Sequence, residues 1–80
     1  MVERMRNDAH PTGYSYEDAA SVLTGLGFVR APSAGGSHRI WRAVSATGKV
    51  TVIGLVQGSG DLKPYLIRQM MRQLSEGGFI

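Results

Sequence analysis

The chain has 80 residues, no cysteine and a formal net charge of +3 at pH 7. This length corresponds to one small domain, because domains run from about 50 to 250 residues. The lack of cysteine excludes a disulfide framework and a thiolate metal site. No apolar run reaches the roughly 18 residues of a membrane span and the first residues do not resemble a secretory signal, so we expect a cytoplasmic protein.

The first stretch, residues 1–14, is predicted to be a flexible N-terminal extension. It mixes charged residues with Asn, His, Pro and Gly and shows no apolar periodicity, which is typical of segments that do not pack. We therefore expect it to be dispensable for folding, with His10 in solvent. Residues 15–80 are then predicted to form a single domain.

A first helix is predicted from about residue 16 to residue 26. Ser15 and Asp18 have the spacing of a capping box, and Gly27 is a natural helix terminator. Between them, apolar residues recur at helical spacing and form one face. These residues are Ala19, Val22, Leu23 and Leu26.

Three short strands are predicted next, at residues 28–31, 38–44 and 49–56. Pro32 ends the first strand, and the loop that follows it is rich in glycine. The second and third strands are rich in strand formers and are joined by a short turn, so they should form a hairpin. Gly54 is predicted to mark a bulge in the third strand.

A second helix is predicted after residue 60, with Asp61 as its cap and Pro64 in its first turn. The order helix, three strands, helix predicts an α+β fold of two layers. Its simplest form is a three-stranded antiparallel sheet with both helices on one face, because two apolar helix stripes can then be buried against one small sheet.

The candidate functional residue is His38, which follows Gly36 and Ser37 at the start of the second strand. Histidine can accept and donate a proton near neutral pH, and glycine lets the backbone approach a ligand closely. Arg39 and Arg42 carry planar guanidinium groups that match phosphate oxygens. Because strand side chains alternate, Arg42 should share a face with His38 and Arg39 should not. Trp41 is predicted to lie in the core.

The charge is unevenly distributed along the chain. Seven cationic residues lie between Arg30 and Arg72, against one acidic residue, Asp61. This asymmetry favours an anionic partner such as RNA, with Lys49 and Lys63 as further candidates for phosphate contacts. Two histidines and no cysteine leave no ligand cluster at metal-site spacing, so we predict neither a metal nor another cofactor.

Several segments together resemble the HicA toxins, small mRNA interferases of the YcfA-like group. These segments are Leu26-Gly27-Phe28-Val29-Arg30, Gly36-Ser37-His38-Arg39-Ile40-Trp41-Arg42, Val50-Thr51-Val52, Asp61-Leu62-Lys63-Pro64 and Ile67-Arg68-Gln69-Met70-Met71-Arg72-Gln73. The resemblance covers roughly residues 16–80. It implies a fold similar to the double-stranded-RNA-binding domain, metal-independent endoribonuclease activity on mRNA, and inhibition by a HicB-type antitoxin.

The resemblance also implies roles for individual residues. His38 matches the catalytic histidine of these toxins, and Gly36 and Ser37 match the turn that presents it. The family usually has a proline and a second histidine after the third strand, whereas this chain reads Ile53-Gly54-Leu55-Val56-Gln57. His38 would therefore act alone as general acid or base. Two alternatives remain open from the sequence: a non-catalytic RNA-binding module, and a module whose basic face binds an acidic protein.

Overall fold

The computed structural model describes residues 2–32, 36–58 and 60–80, and six regular elements lie in these ranges. Helix α1 spans Val2–Asn7, α2 spans Tyr16–Gly25 and α3 spans Pro64–Glu76. The strands are β1 (Val29–Arg30), β2 (His38–Val44) and β3 (Val50–Val56). The predicted order of helix, three strands and helix is confirmed, and α1 precedes it. No described helix is long and apolar enough to cross a membrane.

The three strands form one antiparallel sheet in the order β1-β2-β3. The pairing of β2 with β3 is continuous, from His38 opposite Val56 to Val44 opposite Val50. The predicted bulge at Gly54 is therefore wrong. Gly54 lies directly opposite Ile40, whose side chain is 3.6 Å from the place of a Cβ at position 54, an ordinary van der Waals contact.

Helices α2 and α3 cover one face of the sheet, as predicted for a two-layer α+β fold. The face they cover contributes Trp41, Ala43, Thr51, Ile53 and Leu55, all buried. The helices contribute their apolar stripes to the same core, and Trp41 is part of it as expected. The helix residues buried there are Tyr16, Ala19, Val22, Leu23, Ile67, Met70, Met71 and Leu74.

Helix α2 begins as its sequence predicts. The Ser15 hydroxyl accepts a hydrogen bond from the Asp18 amide at 3.1 Å, and the Asp18 carboxylate accepts one from the Ser15 amide at 3.0 Å. This capping box satisfies two amides that the helix itself leaves unpaired. At the other end of the chain, Phe79 folds back and its ring lies 4.8 Å from that of Phe28.

The prediction that Asp61 caps the last helix is wrong. Lys63 occupies the N-cap position of α3 and makes no side-chain hydrogen bond there. Asp61 lies two residues earlier, in an isolated antiparallel bridge with Ser15. Pro64 opens the helix, and its missing N–H is one that the first turn does not need.

The N-terminal extension, which the sequence predicts to be flexible, contains a helix. Residues 2–7 form α1, which packs against α3. Met5 is only 1% exposed and belongs to the main core, and Pro11 and Tyr14 are buried as well. The Arg4 guanidinium lies 5.8 Å from the centre of the Tyr14 ring, in cation–π range. Val2 also packs against this core, and α3 offers the short helix a surface that the sequence pattern cannot show.

Two hydrogen bonds join α3 to the outer edge of β3. The Gln73 side-chain amide donates one to the Val52 carbonyl at 3.0 Å. Just before the strand, the Lys49 ammonium donates one to the Glu76 carbonyl at 3.2 Å. Gln73 thus takes one position that a fourth strand would occupy.

Candidate active site

The start of β2 presents His38 on the face of the sheet that no helix covers. His38, Ile40, Arg42 and Val44 alternate with the buried residues of β2 and are all exposed. Immediately before the strand, Gly36 has φ +73°, a left-handed conformation that favours glycine. The chain can therefore turn sharply just ahead of the histidine. Gly35 belongs to the glycine-rich loop predicted after Pro32 and lies outside the described residues.

Hydrogen bonds fix the turn that carries His38. The Ser37 carbonyl accepts a hydrogen bond from the Gln57 amide at 2.7 Å, which ties this turn to the end of β3. The Arg39 guanidinium donates to the Gln57 side-chain oxygen at 2.8 Å and to the Gly36 carbonyl at 2.7 Å. It also donates to the His38 carbonyl at 3.1 Å. Hydrogen bonds from Arg39 and Gln57 thus fix the backbone carbonyls from Gly36 to His38.

Arg39 lies on the opposite face of the sheet from His38, as the strand alternation predicts. It was predicted as a phosphate contact, but its side chain leaves the sheet on the opposite side from His38 and bonds to the backbone around it. We interpret Arg39 as a positioning residue for the turn. Gln57, its partner across the strands, was missed by the sequence analysis because a residue 18 positions away gives no local signal.

Arg42 shares the exposed face with His38, as the strand alternation predicts. Arg42 lies four positions after His38 in β2, which corresponds to about 13 Å between their Cα atoms. A guanidinium at this distance is suited to a neighbouring phosphate rather than to the one next to His38.

The two candidate lysines lie at opposite ends of the molecule. Lys49 precedes β3, whereas His38 pairs with Val56 at the end of that strand, so about 23 Å of strand lies between Lys49 and the histidine. Lys63 follows β3 and begins α3, at the same end of the sheet as His38. Of the two lysines, only Lys63 lies at the same end of the sheet as His38, in a cavity wall shared with Val56.

A cavity of about 170 Å³ opens between the end of β3 and the first turn of α3. It was not foreseen from the sequence, because its walls come from segments that meet only in the folded chain. Tyr65 stands at its edge and is 55% exposed. The side chains that line it are those of Val56, Asp61, Leu62, Lys63, Tyr65 and Leu66.

The uncovered face of the sheet is otherwise aliphatic, and we call it the open face. It carries five exposed apolar side chains around Arg42, with His38 at one end. Single exposed apolar residues are common, but a contiguous group of them marks an interaction surface. The five residues are Val29, Ile40, Val44, Val50 and Val52.

Within the described ranges, no group of three or more His, Asp or Glu side chains is arranged to hold a metal ion. In the same ranges the His38 imidazole has no hydrogen-bond partner, and the residue is exposed. A substrate can therefore reach the imidazole.

The fold and the site define a small, basic two-layer α+β protein with a histidine exposed at the start of its central strand. The chain belongs to the HicA toxin family, because the family model described as HicA toxin of bacterial toxin-antitoxin matches residues 16–75. It is thus a toxin of a toxin–antitoxin system. The match contains α2, the sheet and nearly all of α3, and leaves α1 outside. No curated protein and no solved structure matches the chain.

Proposed function

We propose that this toxin is an endoribonuclease that cleaves mRNA, with His38 as its general acid or base. The observation that carries the proposal is the exposed imidazole on a hydrogen-bonded turn inside the region that matches the HicA family. Ring nitrogens that face solvent beside a rigid backbone can meet a flexible RNA strand without any rearrangement of the protein.

The proposed reaction uses the 2′-hydroxyl of the substrate as nucleophile. A base takes the proton from the 2′-oxygen, which attacks the adjacent phosphorus, and an acid protonates the leaving 5′-oxygen as its bond to phosphorus breaks. The products are a 2′,3′-cyclic phosphate and a 5′-hydroxyl. His38 performs one of these proton transfers well, and with water in the second role the enzyme should be slow.

Positive charge near the phosphate would stabilise the transition state. Lys63 lies at the same end of the sheet as His38 and is exposed. Arg42 is placed for a neighbouring phosphate along the open face. Lys49 is assigned no part in the chemistry here, since the length of β3 separates it from His38.

Cleavage is expected to proceed without a metal ion, because the described residues offer no metal-binding cluster and the 2′-hydroxyl mechanism needs none. RNA incubated with the protein in excess EDTA should be cut at the untreated rate and should carry cyclic phosphate ends. Activity that disappears in EDTA and returns with a divalent ion would contradict this mechanism.

A second candidate function is non-catalytic RNA binding. It is favoured by one observation: within the described ranges no side chain hydrogen-bonds to the His38 ring to orient it for proton transfer. This function predicts binding that weakens steeply with salt, as phosphate contacts do, with no cleavage at any protein concentration.

We further propose that a HicB-type antitoxin binds the open face. The aliphatic side chains there would be buried by a partner, and Arg42 and His38 among them favour one with acidic residues. Such a partner would cover His38 together with the rest of the face, which explains inhibition without any change in the toxin.

Introducing a negative charge on the open face should weaken antitoxin binding. Val52 is 49% exposed at the centre of the face and lies opposite Arg42 on the neighbouring strand. Val52→Asp should fold normally, but its carboxylate would remove apolar contact area and compete with the acidic residues of the antitoxin for Arg42. We expect the dissociation constant to rise about 30-fold or more, measured by calorimetry with the cognate antitoxin. Thr24→Asp, on the exposed side of α2, is the matched control. Equal affinities for the two variants would rule out the open face as the interface.

A further inference from the structure

We propose that the cavity beside α3 is a nucleobase-binding subsite, which takes a base next to the RNA bond cut at His38. This inference rests on the proposed ribonuclease function for its position in the reaction. It adds a binding site and a base preference that the catalytic histidine alone does not provide.

The first argument is the position of the cavity. Ser37 and Gln57 form a hydrogen-bonded pair, and such pairs alternate with non-hydrogen-bonded ones along an antiparallel ladder. His38 and Val56 are therefore a non-hydrogen-bonded pair, with Cα atoms about 4.5 Å apart and side chains close together. Val56 also lines the cavity, so only one side chain separates the cavity from the imidazole.

The second argument is its size and apolar lining. A volume of about 170 Å³ is below the 300–1,000 Å³, approximately, of pockets for drug-sized molecules, and suits one planar ring system. Val56, Leu62 and Leu66 provide apolar walls. Tyr65 offers an exposed ring at the edge, and stacking on such a ring is the usual way in which proteins hold unpaired bases.

The third argument is the placement of charge around the cavity. Lys63 supplies a cation for the phosphate of the bound nucleotide. The Asp61 carboxylate is exposed and makes no hydrogen bond within the described residues, so it can accept one from the exocyclic amino group of a base. Adenine and cytosine carry such a group and uracil does not, so the subsite should disfavour uracil.

The outer side of α3 extends this site into a path for the strand. Tyr65 also flanks a shallow depression that it shares with Arg68, Gln69 and Arg72. Both arginines are exposed. Arg68 donates a hydrogen bond to the Ala9 carbonyl at 3.5 Å, and Arg72 lies 3.8 Å from the Glu76 carboxylate. Because these contacts are at the surface, both guanidinium groups can also contact phosphates beyond the bound base, which an apolar peptide does not have.

The test measures RNA binding apart from cleavage, in the His38→Ala background. Fluorescence anisotropy with short single-stranded oligoadenylate, oligocytidylate and oligouridylate gives three dissociation constants. Tyr65→Ala should weaken binding to all three by about 5- to 150-fold, the range for loss of one base stack, and Tyr65→Phe should bind as the background does. Thr24→Ala, a change on the exposed side of α2 away from both the cavity and the open face, is the control and should have no effect.

A second variant tests the base preference. Adenine and cytosine oligomers should bind roughly 2- to 12-fold more tightly than uracil oligomers, the range for one hydrogen bond, and Asp61→Asn should reduce that difference. Binding that is unchanged in Tyr65→Ala overturns the subsite, even if the wild type cleaves RNA. Tyr65-dependent binding by a wild type that does not cleave RNA supports the subsite and overturns the ribonuclease function instead.

Discussion

Replacing His38 with alanine is expected to slow RNA cleavage by about 10²- to 10⁴-fold, the usual contribution of one proton-transfer group. The melting temperature should stay the same, because the imidazole is exposed and makes no hydrogen bond within the described residues. Growth arrest on induction should disappear together with cleavage. The measurement pairs a cleavage assay and a growth curve with a thermal melt of each variant.

The chain provides its own control for this experiment. His10 is the second histidine of the sequence and is exposed in the N-terminal segment, so His10→Ala should cleave at the wild-type rate. Antitoxin binding should survive in both variants, since the aliphatic residues of the open face are unchanged. A His38→Ala protein that melts normally and cuts RNA at full rate would refute the assignment and favour the non-catalytic RNA-binding function.

Replacing Met5 with alanine is expected to lower the free energy of unfolding by about 2–5 kcal/mol, the range for a fully buried methionine. The side chain is 1% exposed in the main core, so its removal leaves a cavity between α1 and the rest of the domain. In a domain of this size each kcal/mol corresponds to roughly 4–8 °C, so the melting temperature should fall by about 8 °C or more.

Two further variants test whether the packing of α1 accounts for the expected loss of stability. Met5→Leu keeps the volume and should cost less than about 1.5 kcal/mol. A truncation that begins at Gly13 removes α1 and the buried Pro11 and should be at least as unstable as Met5→Ala. A truncated protein that melts within a few degrees of the full chain would show that α1 does not stabilise the domain.

The parts of the fold that the sequence predicted well are those governed by local chemistry. The capping box at Ser15 and the strand from His38 to Val44 both carry their own signals. Helix α1 was missed because its only core residue is Met5, and six residues are too few for a periodic pattern. The Asp61 cap failed for a related reason: a residue of the right type was present, but the chain uses it in a bridge with Ser15 before the helix begins.

For the candidate site, the alternation of strand side chains was sufficient to put Arg42 on the face of His38. It was not sufficient for Lys49 and Lys63, whose distances from His38 depend on the direction in which β3 runs. The same alternation put Arg39 on the other face, but its hydrogen bond to the Gln57 side chain could not be predicted, since Gln57 follows β3 and lies 18 positions away. The cavity beside Tyr65 was invisible for the same reason.

The hydrogen bond from Gln73 to the Val52 carbonyl also limits how this protein can assemble with others. One border of the sheet is the two-residue β1, and on the other border the Gln73 side chain occupies a carbonyl in the middle of β3, so neither offers an uninterrupted row of free backbone groups. A partner strand that continued the sheet would pair with two residues only or would have to displace Gln73. Backbone pairing is tolerant of sequence, whereas recognition through side chains lets a toxin and its antitoxin diverge together and stop binding the products of related gene pairs.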